Sequence, residues 1–138
     1  MGRFLGVDYG THRIGIALSD PMGMFASAHD VLDGTAPAQS ARAIATLCRE
    51  KEVACIVVGQ PRNMDGSLGP SAEAAAAFAD RLKEVSGLPV VLWDERLTSK
   101  TAEDVLIEAG TRREKRKGLV DKIAAQILLQ HYLDARPA

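Results

Sequence analysis

The pattern of apolar and polar positions along the chain predicts five β-strands. The strand-like segments span residues 4–8, 14–19, 25–32, 54–59 and 88–95. The second segment alternates large apolar residues with Gly15, Ala17 and Ser19, which predicts a strand with one packed face. A tight turn at Gly10 separates it from the first segment, so the two strands are expected to form an antiparallel hairpin. The fourth, ACIVVG, is typical of a strand buried on both faces.

Helical periodicity predicts two helices between the later strands and two more towards the C-terminus. The helices span residues 38–52, 71–87, 99–108 and 119–135, and a basic connector occupies residues 111–118. Ser71 is the expected N-cap of the second helix, and Gly87 is its expected C-cap. This element order predicts an α/β fold with a mixed five-stranded sheet, whose first three strands are antiparallel and whose two faces both carry helices.

The composition is that of an ordinary globular protein and limits the choice of partners. At 138 residues, the chain is expected to form one domain over residues 1–138. Its net charge of −1 produces no overall field, so any attraction for an anion must come from local clusters. Cys48 and Cys55 lack the spacing of a zinc site and are expected to be buried thiols in a reducing compartment. With no signal peptide and no 18-residue apolar run, the protein is expected to be cytoplasmic.

Carboxylates occur at three positions where the local pattern favours apolar or neutral residues. Asp8 ends a buried strand, where an unpaired charge costs several kcal/mol. Asp94 and Glu95 end the fifth strand and point to opposite faces, so at most one of them can join Asp8. Asp121 begins a small apolar helical stripe that continues through Ala124 and Leu128. Each acid alone has a structural explanation, such as complementing a helix dipole.

Together, the three carboxylate positions indicate a metal site. Carboxylates from separate elements are the ligands that Mg²⁺ or Mn²⁺ prefers. Two such ions can hold the attacking water and the leaving oxygen of a phosphodiester in line. Strand phase puts Glu95, rather than Asp94, on the expected face.

Basic and polar residues near these acids are candidate contacts for nucleic-acid phosphates. The densest cluster lies in the connector before Asp121 and consists of Arg112, Arg113, Lys115, Arg116 and Lys117. Thr11 and His12 occupy the first turn, and Arg62 and Asn63 follow the fourth strand, where ligands of open α/β sheets bind. Arg96, which follows the fifth strand, is a further candidate contact. For the basic cluster, the structural explanation is a solvated connector. For Arg62 and Asn63, it is the ordinary Asp-Gly turn that follows them.

Four motifs, GVDYGTHRIGIALSD, VVGQPRNMDGS, WDERLTS and VDKIAAQILLQHYL, resemble those of the YqgF/RuvX family of pre-16S rRNA nucleases, which are related to Holliday junction resolvases. The resemblance covers essentially the whole chain. It implies a ribonuclease-H-like fold and divalent-metal-dependent cleavage of structured nucleic acid, with a role in maturing the 5′ end of 16S rRNA. By position, Asp8 matches the family's first acid, the segment from Asp94 to Arg96 matches its central motif, and Asp121 matches its last acid.

Three other functions remain open at this point. A Holliday junction resolvase would use the same chemistry on branched DNA and would need a homodimer for symmetric cleavage. A non-catalytic RNA-binding module could keep the same fold. An ATP-dependent phosphotransferase is less compatible, because the chain has no P-loop motif and no second phosphate-binding hairpin.

Overall fold

The computed structural model describes residues 2–60, 69–94 and 113–136, and in the last of these ranges it describes side chains from Asp121 onward. Five strands form one sheet: β1 (Arg3–Asp8), β2 (Arg13–Ser19), β3 (Ala26–Asp33), β4 (Val53–Gln60) and β5 (Val90–Asp94). Their order across the sheet is β3-β2-β1-β4-β5. The first three strands pair antiparallel, and β4 and β5 extend the sheet in parallel from β1. The predicted mixed sheet is therefore confirmed.

Within the described ranges, three helices pack on the sheet: α1 (Pro37–Glu50), α2 (Pro70–Ser86) and α3 (Arg113–Ala135). The predicted C-cap of α2 is confirmed, because Gly87 adopts a left-handed conformation with φ of 70°. The predicted N-cap is wrong, because the helix begins at Pro70, one residue before Ser71. Proline favours the first helical position because its fixed φ suits the helix and its missing N–H is not needed there. The predicted helix over residues 99–108 lies outside the described residues.

Helix α3 begins earlier than the sequence pattern indicates. We expected a connector up to residue 118, but the backbone is helical from Arg113. Arginine, lysine and glutamate all have high intrinsic helix propensity, and the segment has only Gly118 to oppose them. The basic segment from Arg113 is therefore the N-terminal part of the same helix that carries Asp121.

The two faces of the sheet bury different kinds of residue. Helices α1 and α2 cover one face, where the cluster contains Leu5, Val7, Ile14, Ile16, Ile44, Ile56, Val58, Phe78 and Leu82. Helix α3 covers the other, where the cluster contains Ala17, Ala26, Val57, Ala125, Leu129 and Leu133. Both cysteines are free, with Cys48 buried and Cys55 only half-buried. Among the helices of the described ranges, none is long and apolar enough to cross a membrane.

Candidate active site

Asp8 lies at the C-terminal end of β1 and on the sheet face covered by α3. A Cβ atom at Gly6 would approach the Leu129 Cβ of α3 to 2.8 Å, so position 6 faces that helix. Asp8, two residues further along the strand, faces the same way because side chains alternate. It is only 8% exposed, and it takes part in an interaction within the protein. A carboxylate is thus held in a largely buried position at the strand end.

Asp121 of α3 lies over the same end of the sheet. The residues that follow it on the inner side of the helix, Ala124, Ala125 and Leu128, are fully buried, as the small apolar stripe predicts. A Cβ atom at Gly15 would overlap the Asp121 backbone carbonyl oxygen, so the helix touches β2 directly there. Gly15 is also the direct partner of Asp8 across the β1–β2 pair. Asp8 and Asp121 are therefore brought together from elements far apart in the sequence.

Arg13, which no sequence pattern had singled out, binds Asp121. Its Nε donates a hydrogen bond to Asp121 Oδ2 over 2.5 Å. The Arg13 side chain is 48% exposed, and the Asp121 side chain is 19% exposed. Strand alternation is the signal that could have found Arg13, since it lies two residues before Gly15 and in phase with it.

The turn between β1 and β2 presents Thr11 and His12 to solvent beside these acids. Both residues are exposed, and the Thr11 hydroxyl lies 3.2 Å from His12 Nδ1. The backbone of the turn is anchored, because the Gly34 N–H donates to the His12 carbonyl oxygen over 2.9 Å. The turn thus holds two hydrogen-bonding side chains at the edge of the candidate site.

The end of β5 agrees with the predicted strand phase. Trp93 packs against the cluster under α3, and its ring meets Tyr132 edge-on at 5.3 Å between centroids. Asp94 is exposed, pairs in register with Gln60 and alternates with Trp93, so it belongs to the opposite face. Glu95, the acid predicted to join Asp8, lies outside the described residues.

Four of the predicted phosphate contacts also lie outside the described part of the chain. This holds for Arg62, Asn63, Arg96 and Arg112. Arg113, Lys115, Arg116 and Lys117 belong to the first turns of α3, and only their backbone is described. The helix rises about 1.5 Å per residue, so Lys117 begins the helical turn immediately before Asp121.

The chemistry of the described acids suits a hard divalent cation. Asp8 and Asp121 supply carboxylate oxygens, which Mg²⁺ and Mn²⁺ prefer, and Asp121 already binds one cationic group, the Arg13 guanidinium. Within the described ranges, no three His, Cys, Asp or Glu residues group closely enough to hold a metal ion. Asp8 and Asp121 are two of the three predicted ligands, and their oxygen donors suit such an ion.

Comparison with known families gives this arrangement a context. The model of the family described as "RuvX: Holliday junction resolvase" matches residues 2–135. The chain belongs to the RuvX family. It is thus a member of a nuclease family, whose enzymes hydrolyse phosphodiester bonds. The resemblance drawn from the four motifs is confirmed.

Bacterial relatives of this RuvX family member are similar along nearly their whole length. A protein from Halothermothrix orenii is 49% identical, covering 96% of this chain and 94% of its own. A second relative, from Geobacillus kaustophilus, is 44% identical, and the match covers 97% of this chain and 99% of its own. Both carry the name "Putative pre-16S rRNA nuclease".

Solved structures with low sequence identity share the fold of this RuvX chain. Thermus thermophilus RuvC, solved with a Holliday junction substrate, aligns with a TM-score of 0.60 at 17% identity, covering 99% of this chain and 96% of its own. The Fowlpox virus Holliday junction resolvase aligns with a TM-score of 0.56 at 13% identity, covering 97% and 99%. The predicted ribonuclease-H-like architecture is therefore confirmed.

Proposed function

We propose that this RuvX family member is a divalent-metal-dependent nuclease that processes the 5′ end of precursor 16S rRNA in the cytoplasm, with residues 1–138 acting as one nuclease domain. The observation that carries the proposal is the convergence of Asp8 and Asp121 at one end of the sheet, where Asp8 lies beside Gly15 and the Asp121 backbone lies over it. The name shared by the bacterial relatives supports the choice of substrate.

We assign Asp8, Glu95 and Asp121 as the residues that would hold Mg²⁺ or Mn²⁺. Glu95 follows β5 two positions after Trp93, which faces α3, and this phase supports it as the third ligand. The bound metal would supply the means to activate water and stabilise charge on the scissile phosphate. Asp8 and Asp121 would orient that centre, because a sheet strand and a packed helix hold their backbones rigidly.

We assign the surrounding polar residues to substrate binding. Thr11 and His12 stand on an anchored, exposed turn beside the acids, where a nucleic-acid backbone could reach them. The other assigned contacts are Arg62, Asn63, Arg96, Arg112, Arg113, Lys115, Arg116 and Lys117. Phosphate contacts supply most nucleic-acid affinity without reading sequence, so this set suits a structured substrate recognised by its shape.

Resolution of Holliday junctions is a second candidate function. The family description and the fold shared with junction-bound RuvC favour it. Symmetric cleavage of a four-way junction needs two active sites related by a two-fold axis, so this alternative requires a homodimer. Sedimentation of the free protein, and of the protein with a four-way DNA junction, tests for that dimer.

The central experiment compares cleavage of two end-labelled substrates, precursor 16S rRNA and a four-way DNA junction, with Mg²⁺, with Mn²⁺ and with neither. We expect metal-dependent cleavage of the precursor and loss of it in Asp8→Asn and Glu95→Gln. Asp80→Asn and Glu84→Gln, at exposed positions of α2, are the matched controls and should cleave normally. An Asp8→Asn protein as active as its parent would contradict the metal site. Cleavage of the junction alone would favour the second function, and binding without cleavage would favour a non-catalytic module.

Salt dependence tests the basic segment separately. Changing Arg113, Lys115, Arg116 and Lys117 to Gln should flatten the slope of log affinity against log salt by roughly 0.7–0.9 for each phosphate that is no longer neutralised. Affinity for a structured RNA would be measured in Ca²⁺, which suppresses cleavage. The matched control changes Arg42, Arg49, Arg81 and Lys83, which are exposed on α1 and α2, to Gln. If the slope of log affinity against log salt is the same in the two variants, the basic segment has a purely structural role.

A further inference from the structure

The bond between Arg13 and Asp121 joins a cation to an acid that the proposed function needs for metal. At 2.5 Å between Nε and Oδ2, it is a charge-assisted contact. The partners are 108 residues apart in the sequence, so the folded sheet and helix bring them together. The Asp121 side chain is only 19% exposed, so its carboxylate is partly removed from water.

A neighbouring acid could have taken Arg13 instead, but its carboxylate is used elsewhere. Asp33 is the partner of Arg13 across the β2–β3 pair. Its Oδ1 accepts hydrogen bonds from the Thr35 N–H over 2.8 Å and from the Thr35 hydroxyl over 2.7 Å. These bonds hold the pKa of Asp33 below its usual range, with the Thr35 hydroxyl making the largest contribution. The Arg13 Nε binds Asp121 and not this neighbouring acid.

We propose that Arg13 competes with the metal for Asp121. In the metal-free protein Arg13 binds Asp121, and when metal enters, Arg13 is released and binds a substrate phosphate. This inference rests on the proposed function. Arginine stays protonated at all physiological pH values, so Arg13 keeps its positive charge when it leaves Asp121 and attracts another anionic partner. A phosphate is such a partner, and guanidinium groups bind phosphates well.

The exchange couples metal binding to substrate binding. Without nucleic acid, metal competes with Arg13 for the Asp121 carboxylate, and this competition weakens the apparent affinity for metal. With nucleic acid present, the displaced guanidinium gains a phosphate, so metal binds more tightly. By linkage, metal must then strengthen nucleic-acid binding by the same factor. The 48% exposure of the Arg13 side chain leaves it within reach of such a ligand.

Calorimetric titration with Mn²⁺, without nucleic acid, tests the competition. Arg13→Gln should bind Mn²⁺ at least about fivefold more tightly than the parent, the low end of typical coupling between sites. Arg13→Lys keeps the charge but not the planar guanidinium, so its Mn²⁺ affinity should lie between those of the parent and Arg13→Gln. Arg42→Gln, which removes the same charge from an exposed position on α1, should match the parent. Circular dichroism and thermal melting would verify that each variant is folded.

A second measurement tests the coupling. The affinity for an RNA hairpin would be measured with and without Ca²⁺, and the enhancement by Ca²⁺ should shrink in Arg13→Gln at least about fivefold relative to the parent. In an Asp121→Asn background, Arg13→Gln should no longer change Mn²⁺ affinity, because the bond it would break is already gone.

The outcomes separate this inference from the proposed function. If the parent binds Mn²⁺ in an Asp8-dependent manner but folded Arg13→Gln binds it equally or more weakly, the competitor role is wrong and the metal site stands. Failure of Arg13→Gln to fold leaves the decision to Arg13→Lys, where unchanged Mn²⁺ affinity contradicts the proposal. If the parent does not bind Mn²⁺ at all, the competitor and the proposed metal site both fail.

Discussion

The two faces of the sheet are built by opposite rules. The face under α1 and α2 is filled with large side chains, such as Ile16 and Phe78, which interlock with the helices. The face under α3 carries Gly6, Gly15 and Ala17, so the helix backbone approaches the strands directly. Ile16 and Gly15 are neighbours on β2 and represent the two rules side by side.

The difference separates stability from positioning. Large buried side chains stabilise the fold through the apolar area they remove from water, about 25 cal/mol per Å². Small residues contribute little area, but they allow a helix to bring Asp121 beside Asp8. Changes to the first face should therefore alter mainly the free energy of unfolding, and changes to the second should alter mainly activity.

The largest effect on stability is expected on the face filled with large residues. Ile16→Ala should lower the free energy of unfolding by about 2–5 kcal/mol, because Ile16 is fully buried and its loss leaves a cavity. Cleavage per folded molecule should stay close to that of the parent. Urea denaturation measures the free energy of unfolding. Cleavage activity divided by the folded fraction measures the activity per folded molecule. A corrected activity that falls more than tenfold would break the comparison.

The adjacent change should have the reverse profile. In Gly15→Ala the new methyl group overlaps the Asp121 carbonyl oxygen, so α3 must shift away from β2. Overpacking of this kind costs about 1–3 kcal/mol. Cleavage should nevertheless fall to background, since the shift separates Asp8 from Asp121. Gly87→Ala is unsuitable as a control because of its positive φ, so Ala45→Gly on α1 serves instead. Normal cleavage by Gly15→Ala would show that close approach of the helix is unnecessary.

A smaller effect is expected where α3 is tied to the edge of the sheet. Gln130 Oε1 accepts from the Ala26 N–H over 2.8 Å, and its Nε2 donates to the Met24 carbonyl oxygen over 3.0 Å. Gln130→Ala should cost about 0.5–1.5 kcal/mol for each bond, and hydrogen exchange at Ala26 should accelerate. Gln39→Ala, at an exposed position of α1, is the control. Unchanged exchange at Ala26 would mean that α3 docks without this tie.

An acid-dependent change is expected in the loop that Gln130 holds. The N–H groups of Phe25, Met24 and Met22 donate to Asp20, and they hold the pKa of its carboxyl below the usual range, with Phe25 the largest cause. A lowered pKa stabilises the fold above about pH 4, and this contribution is lost as pH falls through the folded-state pKa. Amide exchange of Met24 and Phe25, measured relative to the intrinsic exchange rate at each pH, should therefore rise below about pH 4. Asp20→Asn should remove that pH dependence. Persistence of the dependence in the variant would assign it to another group.

The smallest effect is expected in the reactivity of the two thiols, which lie on opposite faces of the sheet. Burial raises the pKa of Cys48 to about 11, and burial also raises the pKa of the half-buried Cys55. At pH 8, roughly 0.1% of Cys48 should be thiolate, so alkylation by iodoacetamide should be far slower than for a free cysteine. Mass spectrometry should find Cys55 modified before Cys48. The reverse order would mean that the face under α1 and α2 opens more readily than the face under α3.

The sequence alone determined the fold class and most of the secondary structure. Apolar patterning and helical periodicity are local signals, and together with the glycine positions they predicted the mixed sheet, the Gly87 cap and the face of β5 to which Asp94 belongs. Local phase also indicated that Asp8 and Asp121 face inward, since each interrupts an apolar pattern. The four family motifs added the nuclease chemistry, which no periodicity could have supplied.

Tertiary structure decided which of these residues meet. The pairing of Arg13 with Asp121 joins elements 108 residues apart, and no local pattern selects one partner over another at that separation. Contact between Gly15 and the Asp121 backbone likewise depends on where α3 crosses the sheet. The start of α3 at Arg113 is a different case, because it follows from helix propensity, a local signal that the prediction of a connector from the charge pattern overlooked. Periodicity specifies the face on which a residue lies, whereas packing between elements specifies its neighbours.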